Sequence, residues 1–222
     1  MRDSYRDELN ATTELIVTVA GLVRTAVQDA TTALVTADLT VAERVISGDA
    51  RIDELTKEIE QRSFQLLARQ APVAGELRTV VAVLRMSYSL DRMGDLAAHI
   101  AKIARLRYPE GAAPGPVADQ IKQMAETADS MIATAITTLE NRDAEAAAGL
   151  ATADSKMDEL RSDQFHLLLS DDWEYGVEKA VDTALLGRYY ERIADHAVAM
   201  GARTIYIVTG EAPEGENWPS SF

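Results

Sequence analysis

The sequence predicts an all-α protein of six long helices, arranged as two repeated three-helix bundles. Only six of the 222 residues are proline, and long proline-free intervals are what long helices require. Ala, Leu, Glu, Arg, Gln and Met dominate those intervals and aromatic residues make up 5% of the chain, a composition typical of helical proteins. Apolar residues also recur at heptad spacing, which indicates helices with one buried face.

The first three helices are read from this spacing and from the prolines. The first helix carries two interleaved heptad rows, which are Leu9, Ile16, Val23, Ala30 and Ala37, and Thr13, Ala20, Val27 and Leu34. Asp38 predicts the cap of the second helix. That helix is expected to end near Gln70, because a proline disfavours helix at the preceding residue. Pro72 is expected to open a third helix that reaches about Arg107.

The same plan recurs after a Pro/Gly-rich segment. The fourth helix has apolar residues at heptad spacing, which are Ile121, Ala125, Ala128, Ile132, Ala135 and Leu139. Asp143 is expected to begin the fifth helix, Ser170-Asp171-Asp172 with Glu174 to cap the sixth, and Gly210 to end it. The predicted organisation is a first bundle at 1–108, a linker at 109–116, a second bundle at 117–210 and a flexible tail at 211–222.

An internal repeat supports this plan. A shift of 105 residues places the first two helices on the fourth and fifth, and a shift of 100 places the third on the sixth. Seven identities fall within positions 34–55 at the first shift, far more than chance gives. Self-similarity at so long a period indicates duplication of a supersecondary unit.

Composition excludes several classes of protein. The 36 acidic and 22 basic residues give a net charge of −14, which argues against a general nucleic-acid binder because phosphates would repel it. The absence of cysteine excludes disulfides, thiolate zinc sites and cysteine nucleophiles. The chain shows neither the apolar core of a signal peptide nor a stretch long enough to span a bilayer, so we expect a soluble, cytoplasmic protein.

Pairs of acidic residues four apart occupy equivalent places in the two halves. They are Asp49/Asp53 and Asp91/Asp95, then Asp154/Asp158 and Glu191/Asp195. Residues at this spacing share one helix face, and packing of the second helix on the third would bring two pairs together. Two carboxylates 5–6 Å apart repel by about 3 kcal/mol at an effective dielectric near 20. Such a group needs protons, arginines or a hard or borderline cation.

The alternative is that these acids are solvated helix faces, balanced by nearby Arg51, Arg92, Lys156 and Arg192. A ferritin-like di-iron bundle is excluded because no Glu-x-x-His occurs. His99 and His196 follow Asp95 and Asp195 but are not at equivalent repeat positions, so we expect ordinary helix residues there. The sequence also has no phosphate loop, nucleophile elbow or dinucleotide fingerprint.

Four segments carry a resemblance to a known family. They are Asp49-x-x-x-Asp53 with Glu54-Leu55, Gln70-Ala71-Pro72-Val73-Ala74-Gly75-Glu76-Leu77-Arg78, Asp91-Arg92-Met93-Gly94-Asp95 and Glu191-Arg192-Ile193-Ala194-Asp195. The chain resembles the PhoU family of phosphate-specific transport regulators, close to its actinobacterial members. The resemblance implies pseudo-twofold bundles with a metal site in each half, one at Asp49, Asp53, Asp91 and Asp95, the other at Asp154, Asp158, Glu191 and Asp195. It implies Fe, Zn, Mn or Mg ions there; Asp91 stands where the family usually has Glu.

The resemblance also implies a function. We expect a non-enzymatic negative regulator of the phosphate-starvation response, acting as adaptor between the ATPase subunit of the Pst phosphate ABC transporter and a PhoR-type sensor histidine kinase. It would meet the membrane only through partners and would bind no nucleic acid, and a homodimer is among the expectations. One alternative is a metal-dependent hydrolase or oxidase at the carboxylate clusters, and another is a bare helical scaffold.

Overall fold

All regular structure in the computed structural model, which describes residues 2–69 and 72–211, is helical. The helices are α1 Arg2–Thr36, α2 Leu39–Arg69, α3 Gly75–Leu106, α4 Gly115–Asn141, α5 Ala144–Leu168 and α6 Gly176–Thr209. The predicted all-α fold of six long helices is thereby confirmed. Within these ranges no helix combines the length and the apolar character that crossing a membrane requires.

Three helix ends lie where the sequence places them. The Asp38 carboxylate accepts a hydrogen bond from the Val41 backbone N–H at 3.1 Å, and the Asp143 carboxylate accepts one from Ala146 at 2.9 Å. These two aspartates are related by the 105-residue shift, so the repeat includes its helix caps. Gly210 ends α6 with φ 80°, a left-handed conformation that favours glycine.

Three other predicted boundaries differ. The third helix begins at Gly75 rather than at Pro72, because Ala74 has φ 49° and ψ −121°, outside the helical region. The cap predicted at residues 170–174 is wrong, since Tyr175 precedes α6 and contributes no side-chain cap bond. Instead the Trp173 indole N–H donates to the Gly176 carbonyl at 3.0 Å. The fourth helix begins at Gly115, inside the predicted linker, since the first helical turn tolerates Pro116.

Most positions of the predicted heptad rows of α1 face the core, but Thr13 is half-buried and Ala37 lies beyond the helix, with φ 51°. Leu9, Ile16, Val23 and Ala30 are all buried, as are Ala20, Val27 and Leu34 in the second row. One continuous apolar core includes buried residues from all six helices. Gln70, Ala71 and residues 212–222, with most of the predicted tail, lie outside the described ranges. The division into two domains stays a prediction.

The two halves meet through equivalent helices, since α1 packs on α4 and α3 packs on α6. Pairing of like with like is the pattern that a twofold axis produces. At the α1–α4 contact, the Arg24 guanidinium donates two hydrogen bonds to the Asp129 carboxylate, at 2.6 and 2.8 Å. These residues are separated by 105 positions, the repeat shift itself, so a residue here contacts its own counterpart.

Candidate carboxylate clusters and family membership

The first acidic cluster lies where α2 packs on α3 and consists of Asp49, Asp53, Asp91 and Asp95. All four residues are half-buried. Burial raises the pKa of Asp49, and the neighbouring charges of Asp53, Asp95 and Asp91 raise it further, partly offset by Lys102. The packing of α2 on α3 therefore brings both predicted pairs within electrostatic reach of one another.

Asp49 is the most constrained member of the first cluster. Its Oδ1 atom is buried and has no hydrogen-bond partner. A Cβ atom at Gly94 would lie 3.2 Å from that oxygen and 3.1 Å from Cγ2 of Ile52, closer than ordinary contacts. Gly94 thus lets α3 approach α2 at this point, and the approach encloses the Asp49 carboxylate.

The remaining members of the first cluster have partners. Thr56 donates a hydrogen bond to Oδ1 of Asp91 at 3.3 Å. Burial is the largest cause that raises the pKa of Asp91, followed by the charge of Asp53. Arg92 bonds Asp95 at 2.8 Å, and the two side chains are 45% and 39% exposed. The Lys57 ammonium lies 3.9 Å from Asp53, also near solvent.

The second acidic cluster lies where α5 packs on α6 and consists of Asp154, Asp158, Glu191 and Asp195. Asp154 and Glu191 are half-buried, whereas Asp158 and Asp195 are exposed. Burial raises the pKa of Asp154, with added contributions from Asp195, Asp158 and Glu191. The pKa of Asp195 is raised by loss of hydration and then by Glu191. The second cluster repeats the pattern of the first in a more open setting.

Two arginines hold Glu191, and sequence reasoning named neither. Arg161 Nε lies 3.4 Å from Oε2 of Glu191, and Arg188 Nη1 lies 2.7 Å from Oε1. Of the four cations predicted to balance the clusters, Arg92 bonds a cluster carboxylate and Arg51 instead bonds Glu54. The signal for Arg161 was its spacing: it lies three residues after Asp158, on the same helix face.

Neither His99 nor His196 forms a metal-binding group with the cluster carboxylates within the described residues. His99 is exposed, and its ring centroid lies 5.5 Å from that of Tyr189. Burial lowers the pKa of His196, helped by Arg192 and Arg92. Across residues 2–69 and 72–211, no three His, Asp or Glu side chains are arranged so that they could hold a metal ion. Metal binding by either cluster therefore stays a prediction.

The geometry agrees with a comparison of the sequence with known families. The PhoU domain matches this chain twice, over residues 16–104 and 121–204. The chain belongs to the PhoU family. The two matches coincide with the two halves of the internal repeat, and each includes one complete acidic cluster.

Sequence similarity to PhoU proteins extends along almost the whole chain. Identity is 41% over 221 residues, covering 100% of both chains, with "Phosphate-specific transport system accessory protein PhoU homolog 1" of Mycobacterium leprae. It is 42% over 213 residues, 96% of this chain and 100% of the relative, with PhoU homolog 2 of Mycobacterium tuberculosis. These mycobacterial relatives confirm the predicted resemblance to actinobacterial PhoU proteins.

Solved PhoU structures have the same fold. The crystal structure of PhoU from Pseudomonas aeruginosa superimposes with a TM-score of 0.88 at 26% identity, covering 93% of this chain and 100% of that one. The PhoU structure from Streptococcus pneumoniae gives 0.84 at 25% identity, covering 93% and 98%. The PhoU-like bundle predicted from the sequence is confirmed.

Proposed function

We propose that this PhoU-family protein restrains the phosphate-starvation response when phosphate is plentiful. It would do so in the cytoplasm, as an adaptor between the ATPase subunit of a Pst-type phosphate transporter and a PhoR-type sensor histidine kinase. The observation that carries the proposal is full-length similarity to proteins named as accessory proteins of phosphate-specific transport. A homodimer is part of the proposal on family resemblance alone, and light scattering of the purified protein would test it.

An exposed apolar strip on α6 supports an adaptor role. Val177, Val181 and Leu185 are spaced four residues apart and are 80%, 52% and 41% exposed. Residues at this spacing share one helix face, and an exposed apolar face suits a helix-mediated contact. Exposed acids precede the strip in sequence at Asp171, Asp172 and Glu174, and Glu178 within it is also exposed but forms an ion pair with Arg107. This combination suits a partner surface that is apolar at its centre and basic at its edge.

We also propose that the acidic clusters take up metal ions, with Fe, Zn, Mn or Mg as candidates. The buried Asp49 Oδ1, which has no hydrogen-bond partner, fits a cation, and oxygen-only donor sets suit hard or borderline metals. In the first half the ligands would be Asp49, Asp53, Asp91 and Asp95; in the second, Asp154, Asp158, Glu191 and Asp195. A bound cation would neutralise like charges and join the two helices of each cluster. Side-chain rotation would first have to bring the carboxylates together.

The enzymatic alternative, a metal-dependent hydrolase or oxidase, has no specific observation in its favour. The names of the relatives describe accessory proteins, which supports a regulator rather than a catalyst. A regulator has to present a surface, whereas a hydrolase needs a substrate pocket beside an open coordination position.

Deletion of the protein in its host tests the regulatory proposal. Transcription of a phosphate-regulated reporter in high phosphate should rise in the deletion strain, and the wild-type chain should restore repression. The double variant Val177→Glu/Val181→Glu should restore it poorly, because two charges interrupt the strip. Leu22→Glu on α1, at a residue 40% exposed, is the matched control and should restore repression fully. Unchanged repression after deletion would refute the proposed role.

A further inference from the structure

The two acidic clusters share their carboxylates but differ in the residues that surround them. The repeat shifts place Thr56 of α2 on Arg161 of α5, and Tyr88 of α3 on Arg188 of α6. The first half therefore has a hydroxyl-bearing side chain at each of two positions where the second half has a guanidinium. Both guanidinium groups bond Glu191.

The Arg161 side chain is fixed in place by several contacts. Its side chain is 13% exposed. Its Nη1 atom donates to Oε1 of the fully buried Gln164 at 2.8 Å, and its guanidinium carbon lies 4.0 Å from the centre of the Phe165 ring. Such contacts fix a planar guanidinium more firmly than a lone surface ion pair would.

Gly187 makes room for this arrangement. A Cβ atom there would lie 1.9 Å from Oε1 of Gln164 and 2.9 Å from Nη1 of Arg161. The equivalent position in the first half is Ser87, which is fully buried. The second half thus has a glycine where a side chain would displace the guanidinium and its partner.

Among the residues that the structure describes, the first cluster has no comparable interior cation. At the position equivalent to Arg161, the Thr56 hydroxyl donates to Asp91 at 3.3 Å. The cations that bond this cluster, Arg92 and Lys57, have side chains 45% and 69% exposed. Among the eight cluster residues, Asp49 alone has a buried side-chain oxygen without a partner in the described structure.

We propose that Arg161 is a fixed internal cation that occupies Glu191 and weakens metal binding at the second cluster, so that tight binding is confined to the first cluster. Arginine stays charged under all ordinary conditions, and a positive charge beside a cluster opposes the entry of a metal cation. Arg188 reinforces the effect by bonding the other oxygen of Glu191. The inference rests on the metal-binding part of the proposed function.

Titration of the metal-stripped chain with Mn²⁺ tests this, with free Mn²⁺ followed by electron paramagnetic resonance. The wild type should show one class of tight sites, lost in Asp49→Asn/Asp91→Asn and kept in Asp154→Asn/Glu191→Gln. Arg161→Thr, which installs the residue of the first half, should strengthen binding at the second cluster about tenfold or more. Arg161→Lys should leave it weak, because the charge is retained.

The opposite exchange keeps the test decisive if Arg161→Thr fails to fold, as judged by circular dichroism. Thr56→Arg should weaken Mn²⁺ binding at the first cluster by a similar factor. Equal tight binding at both clusters of the wild type, or unchanged binding in Thr56→Arg and in a folded Arg161→Thr, would overturn the role of Arg161 while leaving metal binding intact. No tight binding at either cluster would overturn both.

Discussion

Within the described residues, the first half of the chain is covered at one end, whereas the second half is open there. Helix α1 begins at Arg2, but α4 begins at Gly115, which corresponds to position 10 of the first half. The additional two turns of α1 carry Tyr5 and Leu9, which form a small apolar core with Leu66 and Val80.

In the part of the chain that the structure describes, nothing covers the second half in this way. Val177 and Val181 of α6 are 80% and 52% exposed, whereas their counterparts Leu77 and Val81 in α3 are half-buried. The two halves thus share their helices, the caps at Asp38 and Asp143 and the pattern of carboxylates. They differ in the residues that pack around these features. In the first half the apolar residues at this end are buried and stabilise the bundle, whereas in the second half the apolar residues at this end are exposed to solvent.

Truncation of Leu9 should have the largest effect, because it removes part of the cover from the first half. Leu9 is 7% exposed, so Leu9→Ala should lower the free energy of unfolding by about 2–4 kcal/mol through lost burial and a cavity. Val177→Ala, at the open end of the second half, should change it by no more than about 0.5 kcal/mol. Urea denaturation measures both, and equal losses would show that the two ends are equally buried.

Exchange of a small residue between halves should have an intermediate effect. Gly201 of α6 corresponds to Ala101 of α3, and a Cβ at Gly201 would lie 2.6 Å from Cδ1 of Leu150 and 3.0 Å from the Ala147 carbonyl oxygen. Gly201→Ala should therefore destabilise the protein by about 1–3 kcal/mol. Gly48→Ala is the control, since nothing lies within 4 Å of its Cβ position; it should stabilise α2 by about 0.5–1 kcal/mol. A neutral Gly201→Ala would mean that α5 and α6 can separate without cost.

The smallest expected effects have opposite signs at a cluster acid and at an acid between the halves. The pKa of Asp49 is raised in the folded chain, so the folded state binds more protons than the unfolded state above about pH 4, and stability falls as pH rises through that window. The hydrogen bond from Arg24 lowers the pKa of Asp129. Its contribution is present above the ordinary aspartate pKa and is lost as pH falls.

At pH 7 and without metal, Asp49→Asn should therefore raise the free energy of unfolding by less than about 1 kcal/mol, which a slightly higher melting temperature would show. This gain should shrink toward pH 4. Asp129→Asn should lower stability at pH 7 by about 1 kcal/mol, because a bidentate, partly exposed ion pair is broken. Thermal melts at several pH values compare the two. A loss of stability in metal-free Asp49→Asn at pH 7 would contradict the repulsion inferred within the first cluster.

The fold could be predicted from the sequence because the signals for its helices and caps are local and repeated. Heptad spacing in α1 identified buried Ile16 and Val23, and the caps at Asp38 and Asp143 follow from a single side chain each. The starts of α3 and α6 were missed because they depend on the positive φ angle of Ala74 and on the turn closed by Trp173. Neither residue type predicts such a backbone.

The carboxylates were identifiable because the repeat marks equivalent positions, but their partners were not. Arg161 is one of many arginines in the sequence, and its burial depends on the space that Gly187 leaves on another helix. Arg24 and Asp129 were equally inconspicuous as ordinary charges on two helices. Their separation by the repeat shift was available from the sequence, but only the packing of α1 on α4 shows that these two counterparts face each other.

The Arg24–Asp129 bond makes the two halves non-interchangeable. In an assembly of two identical copies of one half, the symmetry axis would place arginine against arginine or aspartate against aspartate, and both pairs repel. Opposite charges at that position require two separately encoded copies, which is what a fused duplication provides. The single chain therefore specifies which half pairs with which, and neither half could replace the other without the loss of this bond.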